Sequence, residues 1–232
     1  MFKFSIVIPV YNESKNLPIL IKQIYKVLKK EIFELIVIDD DSSDGTSNLF
    51  KKLRKKNLKY LLRKKDRDLS RSCILGFKKS KYENVLVMDG DLQHRPQDIL
   101  KIIKVFKEKN ADFVIGSRNL FRNKKHNLSF FRLAASRILI RVVNFLLTNK
   151  TSDPMSGFFI FKKKIFIKNQ FKLFRRGYKI LLDLLYSDTS IKKIYDVEIK
   201  FATRKKGKSK MSTKILFLLI NMILFKIYAR FI

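Results

Sequence analysis

The first half of the chain alternates two kinds of segment, and this alternation constrains the fold more than any other feature. Short β-branched apolar runs have the length and composition of buried strands: "KFSIVIPVY" (Lys3 to Tyr11), "FELIVID" running into further acids, "LKYLLRK", "NVLVMD" and "DFVIGSR" (Asp112 to Arg118). Between them lie stretches with helical periodicity. In "ESKNLPILIKQIYKVLKK" the apolar residues Leu17, Leu20, Ile21, Ile24, Val27 and Leu28 fall on one helical face. Thr46 to about Lys55, "SRSCILGFKKS" and "PQDILKIIKVFKEKN" read as three further helices, with Pro96 placed near a helix start. Strands separated by helices imply right-handed crossovers and a mostly parallel sheet covered on both faces, an α/β fold.

In such sheets ligands bind beyond the carboxyl ends of the strands. The polar residues of this chain collect there: Tyr11-Asn12-Glu13, Asp39-Asp40-Asp41, Asp89 and Asp91, and Ser117-Arg118. Four strand ends carrying acid or polar groups predict one cleft. Asp89-Gly90-Asp91 offers two hard oxygen ligands on the same side of an extended segment. That pair suits Mg²⁺ or Mn²⁺, which keep waters and share phosphate oxygens with a substrate. Gln93 adds an oxygen two residues on, and His94 reads as a group behind the ligands rather than a ligand. Ser42 to Thr46 is a turn with helix-cap chemistry, which leaves the Asp39-Asp40 pair at the strand exit unexplained.

The chain carries 52 Lys and Arg against 20 Asp and Glu, a formal net charge of +32. Such a surface seeks polyanions: nucleic acid, phosphorylated ligands or an anionic membrane face. No zinc-finger, RNP-like or helix-turn-helix signature appears, and most of the 21 Phe sit in apolar runs, against a nucleic-acid-binding module. P-loop and dinucleotide glycine motifs are absent, as is a G-x-S-x-G elbow. Cys73 is the single cysteine and forms no intrachain disulfide, which fits a reducing compartment.

The second half is more apolar. Ser129 to Thr148 is helical, with Arg132, Ser136, Arg137, Arg141 and Asn144 on a polar stripe, and suits a membrane interface. "DPMSGFFIF" is a turn leading into a strand-like run, "GYKILLDLLYSD" a helix, and "VEIKFATRKKGKSKM" an alternating strand followed by a basic loop. The run Ile215–Ile232 is shorter than the about 20 apolar residues of a spanning helix and contains Asn221, Lys226 and Arg230, so a monotopic anchor is expected over a span, with a soluble core helix as the further alternative. Residues 1–210 form the expected main domain, including the interface helix at about 129–148, and 211–232 the anchoring tail.

The strings "IVIPVYNESKNL", "ELIVIDDDSSDGT", "VLVMDGDLQHRP", "IGSR" and "DPMSGFF", followed by "RKKGKSKM", occur in that order over about residues 3 to 211. They resemble family 2 glycosyltransferases of the GT-A fold, and within them the dolichyl- or polyprenyl-phosphate mannose synthase branch. The resemblance implies a Rossmann-like GT-A sheet. It implies that Pro9, Tyr11 and Glu13 hold the nucleotide, with Ile38 and Asp40 as a second wall. Asp89, Gly90 and Asp91 would form the sugar-nucleotide and metal motif, with Asp91, Gln93 and Asp89 toward Mg²⁺ or Mn²⁺. Arg118, Arg132 and Ser136 would grip an acceptor phosphate, and Arg204 and Lys210 would close over the diphosphate. The reaction implied is hexosyl transfer, mannose favoured, from a nucleoside-diphosphate sugar (GDP-mannose favoured) to a polyprenyl phosphate. It would proceed with inversion, at the cytoplasmic face of an anionic membrane and without nucleic acid. A UDP-glucose or other UDP-sugar donor is the alternative, and a nucleotidyltransferase also uses paired aspartates with metal. Where many relatives carry a Gly-Leu-Gly-like stretch after the third strand, this chain has "RKKDRDLSRS" (Arg63 to Ser72), bulkier and more charged.

Overall fold

A computed structural model describes residues 1–53, 55–64, 66–118, 141, 143–145, 150–202 and 213–228. Among these residues the strands are β1 Lys3–Val10, β2 Ile32–Asp39, β3 Leu58–Leu62, β4 Asn84–Val87, β5 Phe113–Ser117, β6 Phe159–Lys162 and β7 Ile194–Glu198. The helices are α1 Leu17–Val27, α2 Thr46–Lys52, α3 Leu69–Lys79, α4 Gln97–Glu108, α5 Lys163–Asn169, α6 Ile180–Ser187 and α7 Thr213–Tyr228. One sheet runs in the order β3-β2-β1-β4-β6-β5-β7. Every pairing is parallel except those of β6, which lies antiparallel between β4 and β5.

The central strands are buried on both faces, as their unbroken apolar runs require. Alternate residues feed opposite cores. Phe4, Ile6 and Ile8 of β1 meet Leu20 and Ile24 of α1 and Ile102 and Phe106 of α4. Val7, between them in sequence, faces the other way with Ile36 and Ile38 of β2, Phe77 of α3, Phe166 of α5 and Leu182 of α6. α3 approaches closely through Gly76, where a Cβ would stand 2.3 Å from Val7 Cγ1.

Two features depart from the sequence reading. The strand expected at "VEIKFAT" begins three residues earlier, at Ile194, and ends at Glu198, because its register follows Phe113 to Ser117 of β5. It is an edge strand whose residues are exposed or half-exposed, so its apolar signal is weak. α5 has no counterpart in that reading: it is a short lysine-rich helix that buries only Ile165, Phe166 and Asn169. α7 is docked through Met222 and Lys226, which are 2% and 4% exposed. The Lys226 ammonium lies 2.6 Å from Asp183 Oδ1 of α6 and donates to Ser187 Oγ and Lys172 O. Its outward face carries exposed Phe217, Ile220, Leu224 and Phe225. No helix among the described residues is long and apolar enough to cross a membrane. Most of the helix expected at 129–148 lies outside the described residues. Arg141 and 143–145 are helical, and Val143 is fully buried.

Candidate active site

The carboxyl ends of β1, β2 and β4 open into a cleft of about 250 Å³. Of the residues singled out in the sequence, Pro9, Tyr11, Glu13, Asp40, Asp89, Gly90 and Asp91 line it. Ile38 does not. It is fully buried in the core beside Val7 and Ile36, one layer behind the wall that Asp40 forms.

The acids at the β2 exit are held by the protein itself. Asp39 is fully buried; its Oδ1 accepts the Ser42 N–H and hydroxyl at 3.0 and 2.5 Å, and its Oδ2 accepts the Tyr60 hydroxyl at 2.6 Å. This tightens the turn after β2, and the Ser42 hydroxyl also accepts the Asn12 N–H across from β1. Asp40 Oδ2 accepts the Asp68 N–H at 2.6 Å, and its Oδ1 lies 2.5 Å from Arg63 Nη2. Burial lifts the Asp40 carboxyl above its ordinary range, an effect that the Asp68 N–H and Arg63 offset only in part.

At the β4 exit the geometry differs. The Asp89 side chain is 35% exposed and its Oδ2 lies 3.2 Å from His94 Nε2. Burial pushes the Asp89 carboxyl up, but His94, Lys179 and Arg118 together outweigh it and hold it below the usual range. His94 is almost fully buried between Phe158 and Phe201, behind Asp89 rather than in the cleft. Gly157 is what lets the second half of the chain approach: a Cβ there would stand 2.4 Å from Asp89 Oδ2. Gly90 packs as tightly, with a Cβ position 2.7 Å from Val10 Cγ1. Asp91 Oδ1 accepts the Gln93 N–H, and Gln93 Nε2 donates to Ala202 O, tying this loop to the segment after β7.

Arg118 stands at the end of β5, as its place in the sequence implies. Its Nε and Nη2 donate to Asp153 Oδ2 and Oδ1 at 2.7 and 2.8 Å, a two-pronged pair with a fully buried carboxylate. Asp153 thus fixes the guanidinium behind Asp89 and Lys179. Arg132, Ser136, Arg204 and Lys210 lie outside the described residues.

The structure adds cleft residues that were not singled out: Arg67, Ser156, Gly157, Tyr178 and Lys179. Burial and the neighbouring Arg118 press the Lys179 ammonium below its usual range, while Asp153 and Asp89 pull the other way. Tyr178 is raised by burial and by Asp68 and Asp40. A signal for Gly157 existed in the "DPMSGFF" string; Lys179 and Arg67 were hidden among 52 basic residues.

No group of three or more His, Cys, Asp or Glu side chains encloses a metal site among the described residues. Asp89 and Asp91 are instead two carboxylates at the edge of an open cleft. This fits a hard divalent cation that keeps waters and takes further oxygens from a substrate phosphate.

The glycosyl transferase family 2 model matches residues 5–169, which include β1 to β6 and both acid loops. The chain belongs to this family. Among its relatives, the dolichol-phosphate mannosyltransferase of Pyrococcus furiosus is 36% identical over 218 residues, 93% of this chain. The chain spans 61% of that relative's length. The Mycosarcoma maydis protein of the same name is 28% identical over 226 residues, covering 92% of this chain and 75% of its own. Glucosyl-3-phosphoglycerate synthase from Mycobacterium tuberculosis, solved with Mn²⁺, UDP-glucose and phosphoglyceric acid, superposes with a TM-score of 0.69 at 15% identity, covering 95% of this chain and 79% of that one. The GT-A sheet of this family 2 chain is therefore shared beyond detectable sequence likeness.

Proposed function

We propose that the protein transfers a hexose, with mannose favoured, from a nucleoside-diphosphate sugar to a polyprenyl phosphate at a membrane surface. One observation carries the reading: the half-buried Asp89 and the neighbouring Asp91 line a cleft that also holds Lys179 and is backed by Arg118, with no histidine or cysteine among the described residues that line it. An acid pair with cations behind it suits two anionic substrates and needs no proton acceptor. A lipid monophosphate has a second pKa of about 6 and is already largely an anion near neutral pH. The names of the archaeal and fungal relatives support the same acceptor class and sugar.

Asp89 and Asp91, with Gln93 beside them, would hold Mg²⁺ or Mn²⁺, which would supply charge neutralisation for the leaving diphosphate. Lys179 and Arg118 screen donor from acceptor, and Asp153 keeps Arg118 from swinging away. Pro9, Tyr11, Glu13 and Asp40 form the nucleotide wall. Arg132 and Ser136 would hold the acceptor phosphate, and Arg204 and Lys210 would cover the diphosphate. Attack from the acceptor side, in line with the leaving group, would invert the anomeric carbon. The exposed apolar face of α7 supports a lipid-facing position, which this reading sets at the cytoplasmic leaflet.

The test is transfer of labelled sugar from GDP-mannose, UDP-glucose and other sugar nucleotides to a short-chain polyprenyl phosphate, with and without Mn²⁺ or Mg²⁺. Metal-dependent labelling of the lipid, greatest with GDP-mannose, is expected. Sugar released only to water, or label passing to a non-lipid acceptor, overturns the proposal.

A further inference from the structure

The charged segment between β3 and α3 is a built structure. Arg63 Nη2 donates to Asp66 O at 2.6 Å and pairs with Asp40. Arg71 Nη1 lies 2.7 Å from Asp66 Oδ2. Asp68 caps α3 by accepting the Arg71 N–H at 3.0 Å, gives its own N–H to Asp40, and accepts the Gly177 N–H at 2.6 Å. The Ser70 N–H returns a bond to Gly177 O at 2.9 Å. The residues on both sides of Arg67 are thereby pinned, and its exposed side chain is sent over the Tyr11 ring, with the guanidinium carbon 3.8 Å from the ring centroid. Arg67, Tyr11 and Tyr178 all line the cleft.

We infer that Arg67 selects the base of the sugar nucleotide, favouring guanine over uracil. This inference rests on the glycosyl-transfer reading and names the specificity of its donor site. Flat guanidinium and aromatic surfaces are what nucleobases stack on. The guanidinium fork matches the paired O6 and N7 acceptors of guanine, a pair that uracil, with a lone O4 on that edge, does not present. The local charge points the same way. Arg63 and Arg71 are paired with Asp40 and Asp66, whereas the Arg67 guanidinium lies over the Tyr11 ring in the cleft. The diphosphate has its own partner in Lys179, which lines the cleft with Asp89 and Asp91.

Titration calorimetry with GDP, UDP and inorganic pyrophosphate, each with Mn²⁺, tests this on wild type, Arg67→Ala and Arg67→Lys. Wild type should prefer GDP. Both variants should lose about tenfold in GDP affinity, as for one two-pronged base contact, with little change for UDP or pyrophosphate and an unchanged melting temperature. Lysine should not rescue, because it keeps the charge and loses the fork. Equal losses for all three ligands with rescue by lysine would assign Arg67 to the phosphates and overturn the inference, as would unaltered GDP binding in both variants. A wild type that prefers UDP overturns it while leaving glycosyl transfer standing; a wild type that binds neither nucleotide removes both.

Discussion

Two acid pairs leave β2 and β4, the strands on either side of β1, and their carboxylates are held differently. Asp39 and Asp40 at the end of β2 are 0% and 5% exposed and accept bonds from Ser42, Tyr60, Asp68 and Arg63. Asp89 at the end of β4 keeps a third of its side chain open to the cleft, with a histidine behind it. The pairs look alike in sequence because each follows an apolar run. What separates Asp89 from the rest is how much of its carboxylate the returning groups leave open. After β2 the loop returns a serine, and β3 and its loop bring a tyrosine and an arginine. After β4 the loop gives Asp91, 7% exposed, the Gln93 N–H and sets His94 behind Asp89, and the returning chain brings Gly157, whose missing side chain leaves room for the Asp89 oxygens.

The contrast is sharpest if activity and stability can be lost separately. Asp91→Ala should cut sugar transfer by about 1000-fold or more, since the metal's neutralisation of the leaving group is removed. Its melting temperature should stay within a few degrees of wild type, and Mn²⁺-dependent binding of the donor, read by calorimetry, should vanish. Near wild-type turnover would break the distinction. Asp40→Ala should lose stability as well as donor binding, because Asp40 both lines the cleft and anchors the loop after β3. It removes the carboxylate that pairs with Arg63 and accepts the Asp68 N–H, and should cost about 3 kcal/mol of unfolding free energy in urea titrations. Asp39→Ala should cost less, about 2 kcal/mol, by leaving the Tyr60 hydroxyl and the Ser42 N–H without their acceptor. If either β2 variant melted like wild type yet lost transfer, the two pairs would be functionally alike.

The smallest effect concerns Glu34, an acid of β2 far from the cleft. Its side chain is 6% exposed and bonded by Ser5, the Lys81 N–H and Lys59. Burial pushes its carboxyl up, but these bonds outweigh it, so the folded group titrates below the ordinary glutamate range. Its contribution is complete above that range and is lost as pH falls through the folded pKa. Lys59 is half exposed, so its share is small. Glu34→Gln should therefore cost about 1 kcal/mol at neutral pH and flatten the acid limb of the stability profile between pH 5 and 3. A parallel limb would remove Glu34 as its source.

The sequence made the α/β alternation legible because β1, β2, β4 and β5 are short, rich in β-branched residues and buried on both faces, and because α1 and α4 carry clear apolar stripes. β6 was seen only as strand-like; its antiparallel seat between β4 and β5 depends on long-range pairing that no local pattern encodes. β7 was misplaced because an edge strand needs few apolar residues. In the site, Tyr11, Glu13, Asp89 and Asp91 were legible from their position after apolar runs. Lys179 was not, since a lysine before an apolar helix looks like a solvated cap until the fold sets it beside Asp89. Arg67 lay in a segment visible only as unusual.

The seat of β6 has a consequence for how the chain is made. β5 ends at Ser117, and its partners β6 and β7 begin at Phe159 and Ile194. A ribosome adding 5–20 residues per second takes about 2–8 s to deliver the intervening forty or so residues. For that interval β1 to β4 can assemble as a parallel unit, while β5 trails with both hydrogen-bonding edges bare. Bare edges pair with whatever strand is near. Limited proteolysis of chains stalled between residues 120 and 155 should then find β1 to β4 protected and β5 cut, the nascent protein's most vulnerable strand being the one that later lies deep in its sheet.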